Sequence, residues 1–272
     1  MPSPLSDAIA LHTAARRYCI DAHAKWCGEY EKIVARGGDR EDDGYHYTPE
    51  ARRTFPRYNV LAAILEAVER IPIETLGSAE LTRERLIAAS SAESAFTRPP
   101  QGNLELAVIQ QEREAFARFV RDLPSTSLST VLPLPYRRVL NATESEQIWG
   151  DLRRRWQVGD GYWYPLDDSP ISGVVAWKAQ AFRAALPVAE LQAILTERGI
   201  HRFWELREYG AQYECDVAWF DPFYNGAEGY WSSAGLDWIV YASHEDTLTV
   251  GGWLVGDLTK RWSGWEEHVL AE

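Results

Sequence analysis

The sequence predicts an α+β protein, with a helical subdomain over residues 1–125 followed over 136–272 by a mostly antiparallel sheet with packing helices on one face. Three observations carry this expectation. Apolar residues recur at helical spacing as far as Leu123, a Ser-, Thr- and Pro-rich break runs from Pro124 to Pro135, and beyond Tyr136 aromatic and β-branched runs alternate with short helical patterns.

In the first half, Leu5 to Ala35 is rich in Ala, Leu and charged residues and contains no proline, which predicts a long helix. Val60, Leu61, Ile64, Leu65, Val68 and Ile71 place a second helix before Pro72. Between the two, Gly37 to Phe55 carries the charge run Asp39 to Asp43 and reads as an exposed loop. Two more helices are predicted, at Ala79 to Ser94 and at Leu104 to Leu123, the latter with Asn103 as its N-cap.

The second half begins with an extended piece at Tyr136 to Leu140 and a helix whose Thr143 and Glu146 fit a capping box. Gly161 to Leu166 is aromatic and strand-like, and a helix is predicted from Val188 to Arg198, between Pro187 and Gly199. Further strands are expected at Arg202 to Glu208, Tyr213 to Phe220, Leu236 to Ser243 and Thr247 to Leu254, the last two joined as a hairpin by His244, Glu245 and Asp246. A final helix, Leu258 to Leu270, would turn Trp262 and Trp265 inward. Asp160-Gly-Tyr-Trp163 is echoed at Glu228-Gly-Tyr-Trp231, too short a match to argue duplication.

Composition narrows the class. The 272-residue chain is 46% hydrophobic and 25% charged, as globular proteins are. No window reaches the roughly 18 to 20 apolar residues of a membrane span. Asp7, His12, Arg16 and Arg17 interrupt the N-terminal stretch, so no secretory signal is expected. Three scattered cysteines, Cys19, Cys27 and Cys215, read as reduced thiols of a cytoplasmic protein.

The net charge of −12 is concentrated at one end: residues 201–272 hold 13 acidic and 4 basic side chains. Such a field repels phosphate backbones and draws basic partners. The arginines at 137, 138 and 153–155 stand among Glu144, Glu146 and Asp151, which predicts a paired helix face and no nucleic-acid site.

Among catalytic and metal patterns, Cys19, His23 and Cys27 share a helix face, but eight residues of helix span about 12 Å, too far for both thiolates to reach one ion. Ser243-His244-Glu245 has triad-like residue types, yet neighbours on a strand point to opposite faces. No nucleophile elbow, H-E-x-x-H pair or phosphate loop occurs, so no catalytic residue, metal or cofactor is assigned.

The same terminal segment holds 15 of the 33 aromatic residues. Trp219, Trp238 and Trp253 lie in predicted strands and belong to a core, whereas Asp221 to Trp231 reads as a loop exposing rings beside acids. The run from Trp219 to Trp231, with Leu236-Asp-Trp-Ile-Val-Tyr-Ala-Ser-His-Glu after it, resembles a C-terminal pattern of uncharacterised bacterial proteins, some of them immunity-protein-like in character. That resemblance covers at most residues 136–272 and implies a binding role.

The expectation is therefore a non-enzymatic binding protein, an immunity-type inhibitor of a basic protein such as a toxin. Its partner surface would comprise Asp221, Tyr224, Glu228, Tyr230, Trp231, His244, Glu245 and Asp246. A second reading takes Glu214, Asp216 and Glu228 as acids, and Trp231 as a stacking platform, in an enzyme or lectin-like module for a polar small molecule such as a carbohydrate.

Overall fold

The computed structural model describes residues 5–42, 44–98, 101–159, 162–166 and 172–270. The chain divides into two compact units, Met1–Leu134 and Pro135–Glu272.

The first unit is helical. Its elements are α1 (Asp7–Ala35), α2 (Pro49–Glu69), α3 (Ala79–Ala89), α4 (Asn103–Asp122) and the short α5 (Ser125–Leu128). Ser6, Thr48 and Ser78 cap α1, α2 and α3 with side-chain oxygens that accept main-chain N–H groups. Leu11, Ala15, Cys19, Val60, Ile64, Leu86, Ile109 and Phe116 form the shared core. Buried in it, Arg16 binds Glu69 at 3.0 Å, and His12 Nε2 lies 3.0 Å from the Val68 carbonyl.

Two expectations for this unit need correction. The loop after α1 is shorter than Gly37 to Phe55, because Thr48-Pro49-Glu50 supplies an N-cap, a preset φ and an acidic first turn, and α2 starts there. Asn103 is the first residue of α4, and Gly102 holds the cap position. Asp43, the last residue of the charge run, lies outside the described residues.

The second unit contains β1 (Arg137–Val139), α6 (Ala142–Trp156), β2 (Val174–Lys178), α7 (Ala179–Ala185), α8 (Val188–Glu197), β3 (Arg202–Arg207) and β4 (Tyr213–Asp216). It ends with β5 (Gly229–Ser232), β6 (Trp238–Ala242), β7 (Thr247–Gly252) and α9 (Trp253–Arg261). The seven strands form one antiparallel sheet in the order β1-β4-β3-β5-β6-β7-β2. The protein is therefore α+β.

Helices cover both faces of this sheet, where one covered face was expected. On one face Trp177, Phe203, Trp231, Trp238, Val240 and Val250 pack with residues of α7, α8 and α9. On the other, Leu206, Tyr230, Ile239 and Tyr241 pack with Ile148, Leu152 and Trp156 of α6. The uninterrupted apolar character of Gly229-Tyr-Trp-Ser and Trp238-Ile-Val-Tyr-Ala is the cause. A central strand with two covered faces has no polar side to alternate with.

The capping box of α6 falls two residues earlier than expected: Asn141 Oδ1 accepts the Glu144 N–H at 2.9 Å, and Glu144 accepts the Asn141 N–H at 2.9 Å. Within Gly161 to Leu166, residues 162–166 form a turn and no strand, while Asp160 and Gly161 of the short echo lie outside the described residues. The strand in this part of the chain is β2, at one edge of the sheet, paired with β7 from Val174 opposite Gly251 to Lys178 opposite Thr247. β4 stops at Asp216, whose side chain caps a turn of 3-10 helix at Val217–Trp219.

The last helix begins directly after β7 and ends at Arg261. Gly264, in the left-handed region at φ 78°, then starts a 3-10 turn at Trp265–His268. Trp262 and Trp265 still reach the core, with ring centroids 5.7 and 6.2 Å from Trp177.

Candidate functional site

One end of the sheet gathers the β3–β4 turn, the loop from Asp221 to Glu228 and the β6–β7 hairpin. The hairpin is closed by a bond from Ser243 N–H to the Thr247 carbonyl at 3.0 Å and by Ser243 Oγ with Thr247 Oγ1 at 2.6 Å. Asp246 takes the left-handed conformation at φ 54°, which Asp tolerates better than most residues, so the turn closes without glycine.

Glu228 joins loop and hairpin. Its Oε1 accepts the His244 main-chain N–H at 3.0 Å and also meets His244 Nδ1. The Glu228 side chain is 2% exposed, His244 44% and Glu245 62%, so the imidazole bridges interior and surface. Its Nε2 stands 3.1 Å from Glu245 Oε1. The hydrogen bond that His244 donates to Glu228, then the charges of Glu228, Glu245 and Glu208, raise the His244 pKa above its ordinary value. Burial, followed by the Glu228 carboxylate, raises the pKa of Tyr241 on the neighbouring strand.

Outside this pair the surface is polar and aromatic. The Tyr209 hydroxyl donates to the Gly226 carbonyl, Arg207 reaches Asn225, and the Glu208 N–H donates to the Glu228 carbonyl at 3.0 Å. Tyr209 is 57% exposed and Tyr224 42%. A cavity of about 350 Å³ opens beside the hairpin, lined by Gln180, Arg183, Phe223, Tyr224, His244 and Asp246 among others.

Of the eight expected surface residues, Tyr224, His244 and Asp246 meet at this cavity. Glu245 is exposed at the hairpin tip, and Asp221 is exposed at the start of the loop without lining the cavity. Three expectations fail on burial. Tyr230, Trp231 and Glu228 are each 1% exposed, because β5 begins at Gly229 and is covered on both faces. Tyr230 stacks on Tyr241 at 4.7 Å, and Trp231 enters the core beneath α7, α8 and α9. These three side chains offer no surface to a partner.

The carbohydrate reading loses its parts for the same reason. Trp231 cannot serve as a platform from the core. Glu214 is held by Arg138 at 2.9 Å and Arg202 at 3.6 Å, and Asp216 Oδ1 accepts the Ala218 N–H at 2.9 Å. Both lie on β4, with β3 and β5 between it and β6. Elsewhere, Cys27 Sγ approaches His23 Nδ1 at 3.6 Å, and Cys19 is buried with its thiol pKa pushed up by desolvation. Among the described residues no group of three His, Cys, Asp or Glu could hold a metal ion. Nor is any helix long and apolar enough to cross a membrane.

Sequence reasoning missed Arg183 and Gln180, which sit on α7, a helix it did not assign. It also missed Glu208 and Tyr209, although Glu-Tyr-Gly between two strand patterns is a legible turn signal. No protein family, curated protein or solved structure matches the chain.

Proposed function

We propose that this is a cytoplasmic binding protein, an immunity-type inhibitor that docks a basic partner on the surface formed by the β3–β4 turn, the loop at 221–228 and the β6–β7 hairpin. The supporting observation is the exposure pattern there: Glu208, Asp221, Glu245 and Asp246 are exposed together with Tyr209 and Tyr224. Aromatic anchors beside exposed acids suit a cationic protein, since complementary charge accelerates encounter and rigid tyrosines supply contact area. Glu228 contributes from beneath by fixing the hairpin to the loop.

The test is affinity capture on the immobilised protein at low salt, followed by calorimetry on the purified pair. A partner positively charged at neutral pH is expected. Its association should slow with added salt and weaken about tenfold or more when Glu208, Asp221 and Glu245 are all changed to Lys. Identical capture by the wild-type protein and the triple variant would remove this surface from consideration.

A further inference from the structure

Arg183 and Asp246 line the same cavity and are not paired with each other. The Arg183 guanidinium lies over the Phe223 ring at 4.0 Å and has no carboxylate or carbonyl partner among the described residues. Arg138, Arg198 and Arg261 in this same unit each hold a carboxylate, whereas Arg155, like Arg183, lies over a ring without one; what distinguishes Arg183 is that it shares a cavity with an uncommitted acid. Asp246 uses its main-chain carbonyl to accept the Ala179 N–H at 2.8 Å, while its carboxylate forms no hydrogen bond or ion pair among the described residues.

An arginine resting over an aromatic ring still has its N–H donors free for a carboxylate, which its fork suits. An uncommitted carboxylate on the same cavity suits an ammonium group. Opposite charges that share a cavity without bridging it are both satisfied by a ligand carrying one charge of each sign. The cavity, at about 350 Å³, is at the small end of the range for small-molecule sites. Gln180 adds hydrogen-bonding capacity to its wall, and Phe223 and Tyr224 add aromatic faces, whereas the Ser243 hydroxyl and both His244 ring nitrogens are engaged within the hairpin and loop.

We propose that this cavity binds a free α-amino acid, whose carboxylate pairs with Arg183 and whose ammonium pairs with Asp246. The cavity shares Asp246 and Tyr224 with the proposed docking surface, but amino-acid binding needs only Arg183 and Asp246 and does not require a protein partner. Occupancy would add a second link between α7 and the β6–β7 hairpin, which the Ala179 N–H to Asp246 carbonyl bond already joins.

The twenty standard L-amino acids, offered singly to the full chain in calorimetry or saturation-transfer NMR, provide the test. Propionate and ethylamine serve as single-charge controls. At least one amino acid should bind with a Kd of about 1 mM or tighter, and each control should bind about tenfold more weakly or worse. Arg183→Gln and Asp246→Asn should each weaken the amino acid about tenfold or more, with unchanged circular dichroism as the check on folding. Overturning results would be the absence of binding by all twenty, equal binding of propionate or ethylamine, or unchanged affinity in both folded variants. The triple Lys variant of the docking surface leaves Arg183 and Asp246 intact, so loss of protein capture and loss of amino-acid binding are separable.

Discussion

His12 in the first unit and His244 in the second are the same side chain with opposite titration behaviour. His12 is sealed in a helical core, and burial, opposed in part by its bond to the Val68 carbonyl, brings its pKa down to about 4. His244 stands half-exposed at the end of a sheet, and the Glu228 carboxylate raises its pKa. Desolvation governs one and a paired charge governs the other. The lesson extends to the neighbours of each. Polar groups in the first core are closed into structural pairs, such as Arg16 with Glu69, whereas the sheet end of the second unit pairs a buried acid with a group that solvent reaches.

The largest effect expected tests where interior ends and surface begins in the second unit. Trp231→Ala should cost about 3–5 kcal/mol, because a fully buried indole leaves a cavity between the sheet and its helices. Tyr224→Ala, seven residues earlier, should change stability by no more than about 0.5 kcal/mol. Denaturant unfolding followed by tryptophan fluorescence is the measurement, and eleven of the twelve tryptophans lie beyond residue 134. Comparable losses in the two variants would mean that loop and strand form one packed body.

Acidification should then act on the first unit. A histidine whose folded pKa lies below its unfolded value makes the unfolded chain bind more protons, so stability falls as pH drops from about 6.5 toward 4. About 2 kcal/mol should be gone by pH 5, above the range where carboxylates protonate. Helical unfolding monitored by far-UV circular dichroism should show this loss, and His12→Gln, which keeps a donor for the Val68 carbonyl, should flatten it. An equally steep acid limb in that variant would assign the proton uptake to another group.

How much of this was legible in the sequence depends on what each residue answers to. Local signals served well: the hairpin at 244–246, the helix after Pro187 and the apolar stripe of α4 follow from spacing and turn chemistry alone. The sheet's two covered faces did not, because Gly229-Tyr-Trp-Ser looks the same whether it ends a loop or enters a core. Only its pairing with β3 and β6 decides that. Glycine could have hinted at it, since a Cβ at position 229 would collide with the Trp231 ring. At the site, Tyr224, His244 and Asp246 were within reach of composition arguments. Arg183 was not, because its significance lies in the absence of a partner, which no linear pattern records.

A smaller effect separates the two units. Asn141→Ala removes one arm of the α6 capping box and should cost about 1 kcal/mol. The loss should appear in the fluorescence transition of the second unit, leaving the acid limb assigned to His12 in place. A shift of that limb would show that the histidine signature does not belong to the first unit alone.

The smallest effect carries the sign opposite to that of His12. A histidine whose folded pKa is raised contributes stability that is fully present below its unfolded value of about 6.5 and fades as pH climbs through the folded pKa. The second unit should therefore weaken slightly on moving from pH 6 to 8.5, where the first unit does not. His244→Gln should abolish that slope, and Glu228→Gln should abolish it too, because the buried carboxylate is the first cause of the shift. The two substitutions differ in one respect that fluorescence-detected melting can read. Glu228→Gln leaves a neutral acceptor for the His244 main-chain N–H and returns the imidazole toward its ordinary pKa. His244→Gln leaves the buried acid without its cation, so it should lower stability more wherever the wild-type imidazole is charged, below its folded pKa. If Glu228→Gln retains the alkaline slope, Glu245 and Glu208, the remaining acids around the ring, hold the proton instead.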